Sequence, residues 1–329
     1  MKSILFGLLI VCFFKSTSFA QIPIVKVDGS STVFPIAEAM AEEFQTEKKG
    51  QTRVTVGISG TGGGFKKFCR GEIDIQNASR PIQSDELANC QKASVRFFEL
   101  PIAYDATVVV VNIKNDWVNQ ISIEELKKMW EPSAQAKIMS WNQINPAWPK
   151  EKLKLYGAGS DSGTFDYFSE AVVGKAKSSR GDYSASENDN TLVTGIAGDK
   201  FALGYLPLAY YEENKAKLKV LGIVNPKTKK VVLPSRESVE SGDYSPLSRP
   251  IFIYPSEAGM KKAEVREFVE YFIKNAAKVV PAVKYVPLPE KLYELSLEHL
   301  KKNKLGTSFG GHSSVGLKVE DLMKLEKKN

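Results

Sequence analysis

GISGTGGGFKKF, residues 57–68, joins a predicted strand (53–58) to a predicted helix through a turn rich in glycine and hydroxyl groups. The first N–H groups of a helix have no partner within the helix, and they carry a partial positive charge, so such a turn can bind an anion. Glycine lets a ligand approach the backbone, and Ser59 or Thr61 adds a hydroxyl donor. The segment therefore predicts an α/β unit with an anion-binding turn.

Two further turns have the same character. DGSSTVFPI (28–36) and GSDSGTFDYF (159–168) each place glycine and hydroxyl residues directly before an apolar helical pattern. One such turn means little, because its hydroxyls can simply cap their own helix. Three of them, spread along the chain, predict that one small oxyanion is bound from several sides.

Behind each turn the apolar residues recur at helical spacing, which predicts amphipathic helices packed on a core. The predicted core positions are Val33, Ile36, Ala37, Met40 and Phe44 in the first helix, Phe65, Phe68 and Cys69 in the second, and Phe165, Phe168 and Val172 in the third. Gly71 is expected to end the second helix. A fourth apolar face, residues 265–273, follows no anion turn and is interpreted as packing only.

Strand patterns alternate with these helices, which is typical of an α/β fold. Residues 107–111 are almost wholly apolar and β-branched, as expected for a parallel strand buried on both faces. The length favours two domains. Residues 100–105 and 248–251 are predicted to cross between them, so that 21–103 plus 252–329 form one domain and 104–251 the other.

The first twenty residues are expected to be a signal peptide. Lys2 gives a charged start, residues 4–14 form an apolar run, and Ser18-Phe19-Ala20 offers a small-residue cleavage site. Cleavage would remove Cys12 and leave Cys69 and Cys90. An exported protein with an even number of cysteines is expected to pair them, although two free buried thiols remain an alternative.

Charge and composition indicate which kinds of ligand the protein is suited to bind. Loss of Lys2 and Lys15 with the leader lowers the formal net charge from +7 to +5, a balance that suits an anionic ligand or an anionic membrane surface. No basic stripe with interleaved aromatic residues indicates nucleic-acid binding. No cluster of metal-ligand residues is visible, and no cofactor is predicted.

The motifs DGSSTVFPI, GISGTGGGFKKF, NASRPI (77–82) and GSDSGTFDYF, in this order, resemble the periplasmic phosphate-binding proteins of ABC transporters. The likeness extends over most of the mature chain and is closest to the branch found in cyanobacteria and some other bacteria. It implies a type II periplasmic-binding-protein fold with two α/β lobes and a two-strand hinge. It also implies a monomer in the periplasm that binds inorganic phosphate and delivers it to a membrane permease.

The resemblance assigns the phosphate contacts residue by residue. The first turn supplies two hydroxyls and backbone N–H groups, the second supplies one hydroxyl from an ambiguous alignment, and the third supplies a Ser-Gly-Thr motif. The expected ligands are Ser31, Thr32 and Val33, then Ser59 or Thr61, then Ser162, Gly163 and Thr164.

The chain departs from the family pattern at two charged positions. Arg80 stands where many members have an Asp, and Ala158 stands where many have an Arg. We therefore expect an exchange of charges, with Arg80 supplying the cation and Asp161 the acceptor for the proton of phosphate. Arg180 is a second candidate cation. The alternative for Arg80 is an ion pair with a structural carboxylate.

Two other functions remain open at this stage. The same fold could carry sulfate or another oxyanion. A secreted phosphoester hydrolase could use Ser162 with His299 or His312, although His299 lies in a Lys-rich helical stretch and is expected at the surface. The pattern GxSxG fails at Val315, and no GxxxxGK[ST] loop is present, so the sequence favours a binding protein without chemistry.

Overall fold

The computed structural model describes residues 22–328, so the expected signal peptide lies outside the described residues. The strands are β1 (Ile24–Gly29), β2 (Arg53–Val56), β3 (Ile75–Ala78), β4 (Leu100–Asn112), β5 (Gln120–Ser122), β6 (Lys154–Ala158), β7 (Ser184–Ser186), β8 (Ala202–Pro207), β9 (Leu218–Val220), β10 (Gly222–Val224), β11 (Val231–Val232), β12 (Ser248–Pro255) and β13 (Val286–Pro287).

Twelve α-helices accompany these strands within the described range. They are α1 (Phe34–Glu47), α2 (Thr61–Phe68), α3 (Ser84–Lys92), α4 (Ile123–Trp130), α5 (Gly163–Val173), α6 (Asp189–Ala197), α7 (Leu208–Glu213), α8 (Arg236–Glu240), α9 (Glu257–Met260), α10 (Ala263–Ala282), α11 (Glu290–Lys301) and α12 (Val319–Lys328). Among residues 22–328, no helix is long and apolar enough to span a membrane.

Eight strands follow one another in a mixed sheet in the order β2-β1-β3-β12-β4-β8-β6-β7, with β13 and β9 also pairing with β4. Strands β1, β2 and β3 are parallel at one end, and β6, β7 and β8 are parallel at the other. Long antiparallel strands β4 and β12 connect the two parallel groups. The fold therefore consists of two α/β lobes joined through two strands.

Strand β4 changes partners along its length. It pairs with β12 as far as Ala106 and with β8 from Thr107 onward. All of its residues are buried, as predicted for 107–111, but its pairings are antiparallel, so the parallel assignment was wrong. Burial on both faces arises because helices α6, α7, α10 and α11 pack against β4, and this burial does not depend on strand direction.

The predicted helix faces are confirmed. Every core position named from the apolar spacing of the three turn helices and of residues 265–273 is buried. Gly71 has a φ of +73° just beyond the end of α2, which is the conformation that glycine adopts most readily. The disulfide between Cys69 and Cys90 is also confirmed, and it joins the end of α2 to α3 with a Cα–Cα distance of 4.4 Å.

Candidate functional site: an anion site between the lobes

The three turns meet where the lobes face each other. The hydroxyls of Thr32 and Thr164 lie 3.0 Å apart, which joins the first turn to the third. A Cβ on Gly163 would stand 2.3 Å from Ser79 Oγ and 2.5 Å from Thr61 Oγ1, so the third turn also abuts the second. Turns that lie far apart in sequence, 132 positions for Thr32 and Thr164, thus form one buried cluster of hydroxyl and N–H groups.

Two tyrosines orient the backbone of the first turn. Tyr210 donates to the carbonyl of Ser31 at 3.2 Å, and Tyr285 donates to the carbonyl of Thr32 at 2.6 Å. In a trans peptide the N–H points opposite to the C=O, so the N–H groups of Thr32 and Val33 point away from these tyrosines. They stand at the start of α1, where N–H groups have no partner from the helix. The first turn is therefore prepared to donate to an anion.

The structure separates the two alternatives for the second turn. Thr61 is fully buried, and its hydroxyl lies 3.1 Å from the hydroxyl of Ser79. Ser59 is only half-buried, and its hydroxyl donates instead to Asp28 Oδ1 at 2.7 Å. Only Thr61 is thus placed in the cluster. The sequence had not singled out Ser79, which contributes a further buried hydroxyl.

The third turn both caps its helix and faces the cluster. Ser162 Oγ accepts from the N–H of Thr164 at 3.1 Å, so Ser162 is the N-cap of α5. A hydroxyl that accepts in this way still has a proton to donate. Thr164 is fully buried, and its hydroxyl faces the first turn.

Arg249 is the cation at the centre of the cluster. It is fully buried on β12 and donates to Gly163 O at 2.8 Å and to Thr164 Oγ1 at 2.9 Å. It also reaches Thr32 Oγ1 at 3.5 Å. Because Arg249 only donates, a hydroxyl oxygen that it contacts must direct its own proton elsewhere. Arg249 therefore favours a donor role for the threonine hydroxyls of both lobes.

Two buried carboxylates accompany Arg249. Asp105 Oδ2 accepts from Arg249 Nη2 at 3.1 Å, and burial raises the pKa of Asp105 to about 6 against the opposing effect of Arg249. Asp189, the first residue of α6, is 2% exposed, and its Oδ2 has no hydrogen-bond partner within residues 22–328. Burial raises the pKa of Asp189 to about 7, with the Ser31 hydroxyl opposing this shift. Asp189 is thus a buried acceptor facing the first turn.

Arg80 has the structural role that the sequence left open as an alternative. Its guanidinium forms a two-point pair with Glu86, at 2.8 Å for both contacts, and its Nε lies 2.7 Å from Asp166 Oδ2. A further bond reaches Pro81 O at 3.1 Å. These contacts use all but one of the five N–H groups of arginine. The protein itself thus occupies most of the donors that Arg80 would need for the expected contact with an anion.

The other two charged candidates lie outside the cluster. The side chain of Asp161 is 44% exposed and pairs with Lys66 Nζ at 2.8 Å. Arg180 is buried against α4, where it pairs with Asp182 and donates to the carbonyls of Met129 and Ile138. No hydrogen bond or ion pair of the described residues links Arg180 to the three turns, and its role as a second cation stays a prediction.

One signal in the sequence could have revealed Arg249. The tetrapeptide Ser-Arg-Pro-Ile occurs twice, at residues 79–82 and 248–251. Both copies place an arginine at the boundary between the lobes, and only the second arginine contacts two of the three turns. Asp105 and Asp189 carried no comparable signal, because a single acidic residue becomes informative only when its burial is known.

The histidines do not assemble a nucleophilic site. His299 is buried rather than exposed, and its Nδ1 lies 3.5 Å from Glu326, which corrects the expected surface position. His299 lies on α11, which packs against α12, and the Lys-rich composition of this stretch does not reveal that contact. Neither His299 nor His312 is hydrogen-bonded to Ser162 within residues 22–328. The same range contains no group of His, Cys, Asp and Glu that could hold a metal ion.

Two α/β lobes, two connecting strands and a donor-lined site at their junction define a binding protein of the type II periplasmic fold. A family model described as PBP superfamily domain matches residues 16–276. The chain belongs to this superfamily, in the group that comprises the SphX and PstS proteins.

The relatives cover nearly the whole chain. Protein SphX of Synechococcus elongatus is 51% identical over 93% of this chain and 90% of its own length. The phosphate-binding protein PstS of Staphylococcus haemolyticus is 36% identical over 84% of this chain and 85% of its own. Among solved structures, a "possible phosphate binding protein" of Planctomyces limnophilus is 43% identical with a TM-score of 0.63, covering 86% of this chain and 100% of its own.

A more distant structure supports the fold alone. An ABC-type phosphate transport receptor of Vibrio cholerae has a TM-score of 0.60 at 20% identity, covering 80% of this chain and 100% of its own. Similarity at this level indicates that the two chains share the fold.

Proposed function

We propose that the protein binds inorganic phosphate between its two lobes and delivers it to an ABC permease. The convergence of three donor turns from both lobes on one buried cluster is the observation that carries this function. The printed names of the relatives, SphX and phosphate-binding protein PstS, support phosphate as the anion. Lobe 1 is proposed to comprise residues 21–103 and 252–329, and lobe 2 residues 104–251.

The anion is held by hydrogen bonds from hydroxyl and N–H groups. The proposed donors are those of Ser31, Thr32, Val33, Thr61, Ser79, Ser162, Gly163 and Thr164. Arg249 lies among them, sets the direction of two threonine hydroxyls and supplies the buried positive charge. Each hydrogen bond to a charged group contributes about 1.5–3 kcal/mol net, so several together account for tight binding. Ser59, Arg80 and Asp161 are proposed to act from outside the ligand contacts.

Asp189 is proposed as the group that recognises a protonated anion. Phosphate near neutral pH still bears a proton, whereas sulfate does not. The unpartnered Oδ2 of Asp189 can accept the hydrogen bond of that proton, while a sulfate oxygen would face a lone pair. A site that leaves a buried polar group unpaired rejects the wrong ligand strongly. This role moves the acceptor from Asp161, whose side chain is half exposed.

Binding is coupled to closure of the lobes. Because Thr32 and Thr164 belong to different lobes and donate to one anion, the ligand interacts more favourably with the closed state than with the open state. The anion therefore shifts the population toward closure. No covalent step is proposed, since Ser162 Oγ faces the N–H of Thr164 rather than a general base. The protein is proposed to be a monomer of the periplasm.

Three measurements test this function. Mass spectrometry of the denatured purified protein should identify phosphate as the co-purifying ion. Calorimetry of the stripped protein should show tight binding of phosphate and no competition from sulfate. Scattering should give a smaller radius of gyration with phosphate than without it. Binding of sulfate in place of phosphate would contradict the proposal, and turnover of a chromogenic phosphate ester that is lost in Ser162→Ala would favour a hydrolase.

A further inference from the structure

A buried ion pair crosses between the lobes beside the anion site. Arg80 follows β3 in lobe 1, and Asp166 lies in the first turn of α5 in lobe 2. The distance from Nε to Oδ2 is 2.7 Å, and the two side chains are 5% and 2% exposed. The contact joins side chains of opposite lobes and does not involve the glycine and hydroxyl residues of the three turns.

Arg80 is held in place from within its own lobe. Glu86 on α3 binds both terminal nitrogens of the guanidinium, and its Oε2 also accepts from the N–H of Gln83 in the capping box of the helix. This two-point pair fixes the plane of the guanidinium. The Nε edge of Arg80 therefore faces lobe 2 in a fixed orientation. Glu86 sets this orientation, without a contribution from Asp166.

Asp166 receives its only side-chain hydrogen bond among the described residues from the opposite lobe. Its Oδ2 accepts from Arg80, while its Oδ1 has no hydrogen-bond partner in the part of the chain that the structure describes. Burial raises the pKa of Asp166, and Arg80 followed by Lys177 opposes that shift. When the lobes separate, Asp166 must exchange Arg80 for water.

We propose that Arg80 and Asp166 form a latch that holds the lobes closed around the bound anion, with Arg80 acting as a positioning residue. The latch rests on the proposed function, because it presupposes that the lobes close on an anion. Contacts that are made only in the closed state oppose reopening, so the latch acts on release of the anion more than on its capture.

A second interlobe ion pair provides a matched control. Lys66 and Asp161 also join lobe 1 to lobe 2, at 2.8 Å, but their side chains are 63% and 44% exposed. Exposed ion pairs contribute little, whereas loss of one member of a buried pair has a large effect. Asp166→Asn and Asp161→Asn therefore remove the same charge from the same lobe in two different environments.

If Arg80 instead contacts the anion directly, Asp166→Asn should change the affinity for phosphate in the opposite direction. If Arg80 were the cation that contacts the anion, Asp166→Asn would release its Nε and remove a nearby negative charge. Binding of phosphate would then become tighter. If Arg80 is part of a latch, Asp166→Asn leaves it paired with Glu86 and binding becomes weaker.

Stopped-flow mixing with inorganic phosphate tests the latch. For Asp166→Asn we expect dissociation at least about tenfold faster, with association within about threefold of the unmodified protein, and for Asp161→Asn both rates within about twofold. Arg80→Lys retains the positive charge but lacks the planar guanidinium that binds Glu86 and Asp166 together. If Asp166→Asn does not fold, Arg80→Lys should show the same faster release of phosphate. Unchanged or slower release in the folded variant would overturn the latch. Failure of the unmodified protein to bind phosphate would instead overturn the proposed function.

Discussion

Arg249 and Asp105 lie directly opposite each other on β12 and β4, the two strands that connect the lobes, with Nη2 3.1 Å from Oδ2. Both side chains are essentially unexposed. The same guanidinium contacts the first turn through Thr32 and the third through Thr164. The two connecting strands thus carry a buried charged pair that also contacts the first and third turns.

Arg249→Gln is expected to weaken phosphate binding by roughly 2–5 kcal/mol, because it removes the buried cation and leaves Asp105 unpaired. Calorimetry with phosphate measures the loss. Arg180→Gln is the control, since Arg180 is an equally buried arginine paired with an aspartate but contacts none of the turns. It should lower the free energy of unfolding without changing phosphate affinity. Equal loss of affinity in both variants would argue against a role for Arg249 at the site.

Asp189→Asn is expected to let sulfate compete with phosphate, because an amide can donate to a sulfate oxygen where a carboxylate repels it. The discrimination between the two anions should fall by at least about 10²-fold. Competition calorimetry measures the ratio of affinities. Asp161→Asn should retain full selectivity, since that side chain is half exposed and paired with Lys66. Loss of selectivity in Asp161→Asn alone would return the acceptor role to Asp161.

Gly163→Ala should prevent complete closure, because the added Cβ would lie 2.3 Å from Ser79 Oγ and 2.5 Å from Thr61 Oγ1. Both contacts cross the cleft, so the open protein should tolerate the methyl group. We expect phosphate affinity to fall about 10²-fold, with little change in the melting temperature of the stripped protein. Gly181→Ala, whose Cβ would meet only Gln135 Oε1 at 3.5 Å, should bind phosphate normally.

Removal of the disulfide by Cys69→Ser with Cys90→Ser should lower the free energy of unfolding by roughly 3 kcal/mol, as expected for a loop of about twenty residues. Urea titration of the oxidised protein and of the double variant gives the difference. Phosphate affinity should remain unchanged, since the bridge joins α2 to α3 behind the second turn. Reduction of the unmodified protein should reproduce the loss, and a double variant as stable as the oxidised protein would contradict this account.

Glu326→Gln should change how stability depends on pH. Burial raises the pKa of Glu326 to about 7, so between its ordinary value and about 7 the folded protein retains a proton that the unfolded chain has released. The stabilisation from this proton is complete at low pH and is lost as the pH rises through that interval. The unmodified protein should therefore lose roughly 1–3 kcal/mol more than Glu326→Gln between about pH 5 and about pH 8.

Denaturant titrations at several pH values measure this slope. Glu320→Gln, on the exposed side of the same helix, should keep the slope of the unmodified protein. The carboxyl of Glu99, whose pKa burial also raises to about 7, remains in both variants. Some pH dependence should thus persist in Glu326→Gln, and a slope identical to that of the unmodified protein would contradict the assignment.

Local sequence patterns were sufficient to predict the turns, the helices that follow them and the buried faces of those helices. Glycine and hydroxyl residues before an apolar stripe specify a helix start, and α2 and α5 begin within the turns that predicted them. The choice between Ser59 and Thr61 was not decided locally, because both stand in the same turn. In the structure Asp28 accepts a hydrogen bond from the hydroxyl of Ser59, which leaves Thr61 as the hydroxyl of this turn that lies in the cluster.

The amino-acid sequence by itself was sufficient to predict the two-lobed α/β fold from the order of its motifs, to locate the three turns, and to favour the pairing of Cys69 with Cys90 over two free thiols. The turns depend on residue type and spacing over short distances, and the count of cysteines left after the expected cleavage favours one pair. Only the tertiary structure decided which charged side chains lie among the three turns, since the energy of a buried charge depends on partners far away in sequence. Arg80 and Arg249 occupy identical tetrapeptides, yet Glu86 and Asp166 surround the first while Asp105 and two threonines surround the second.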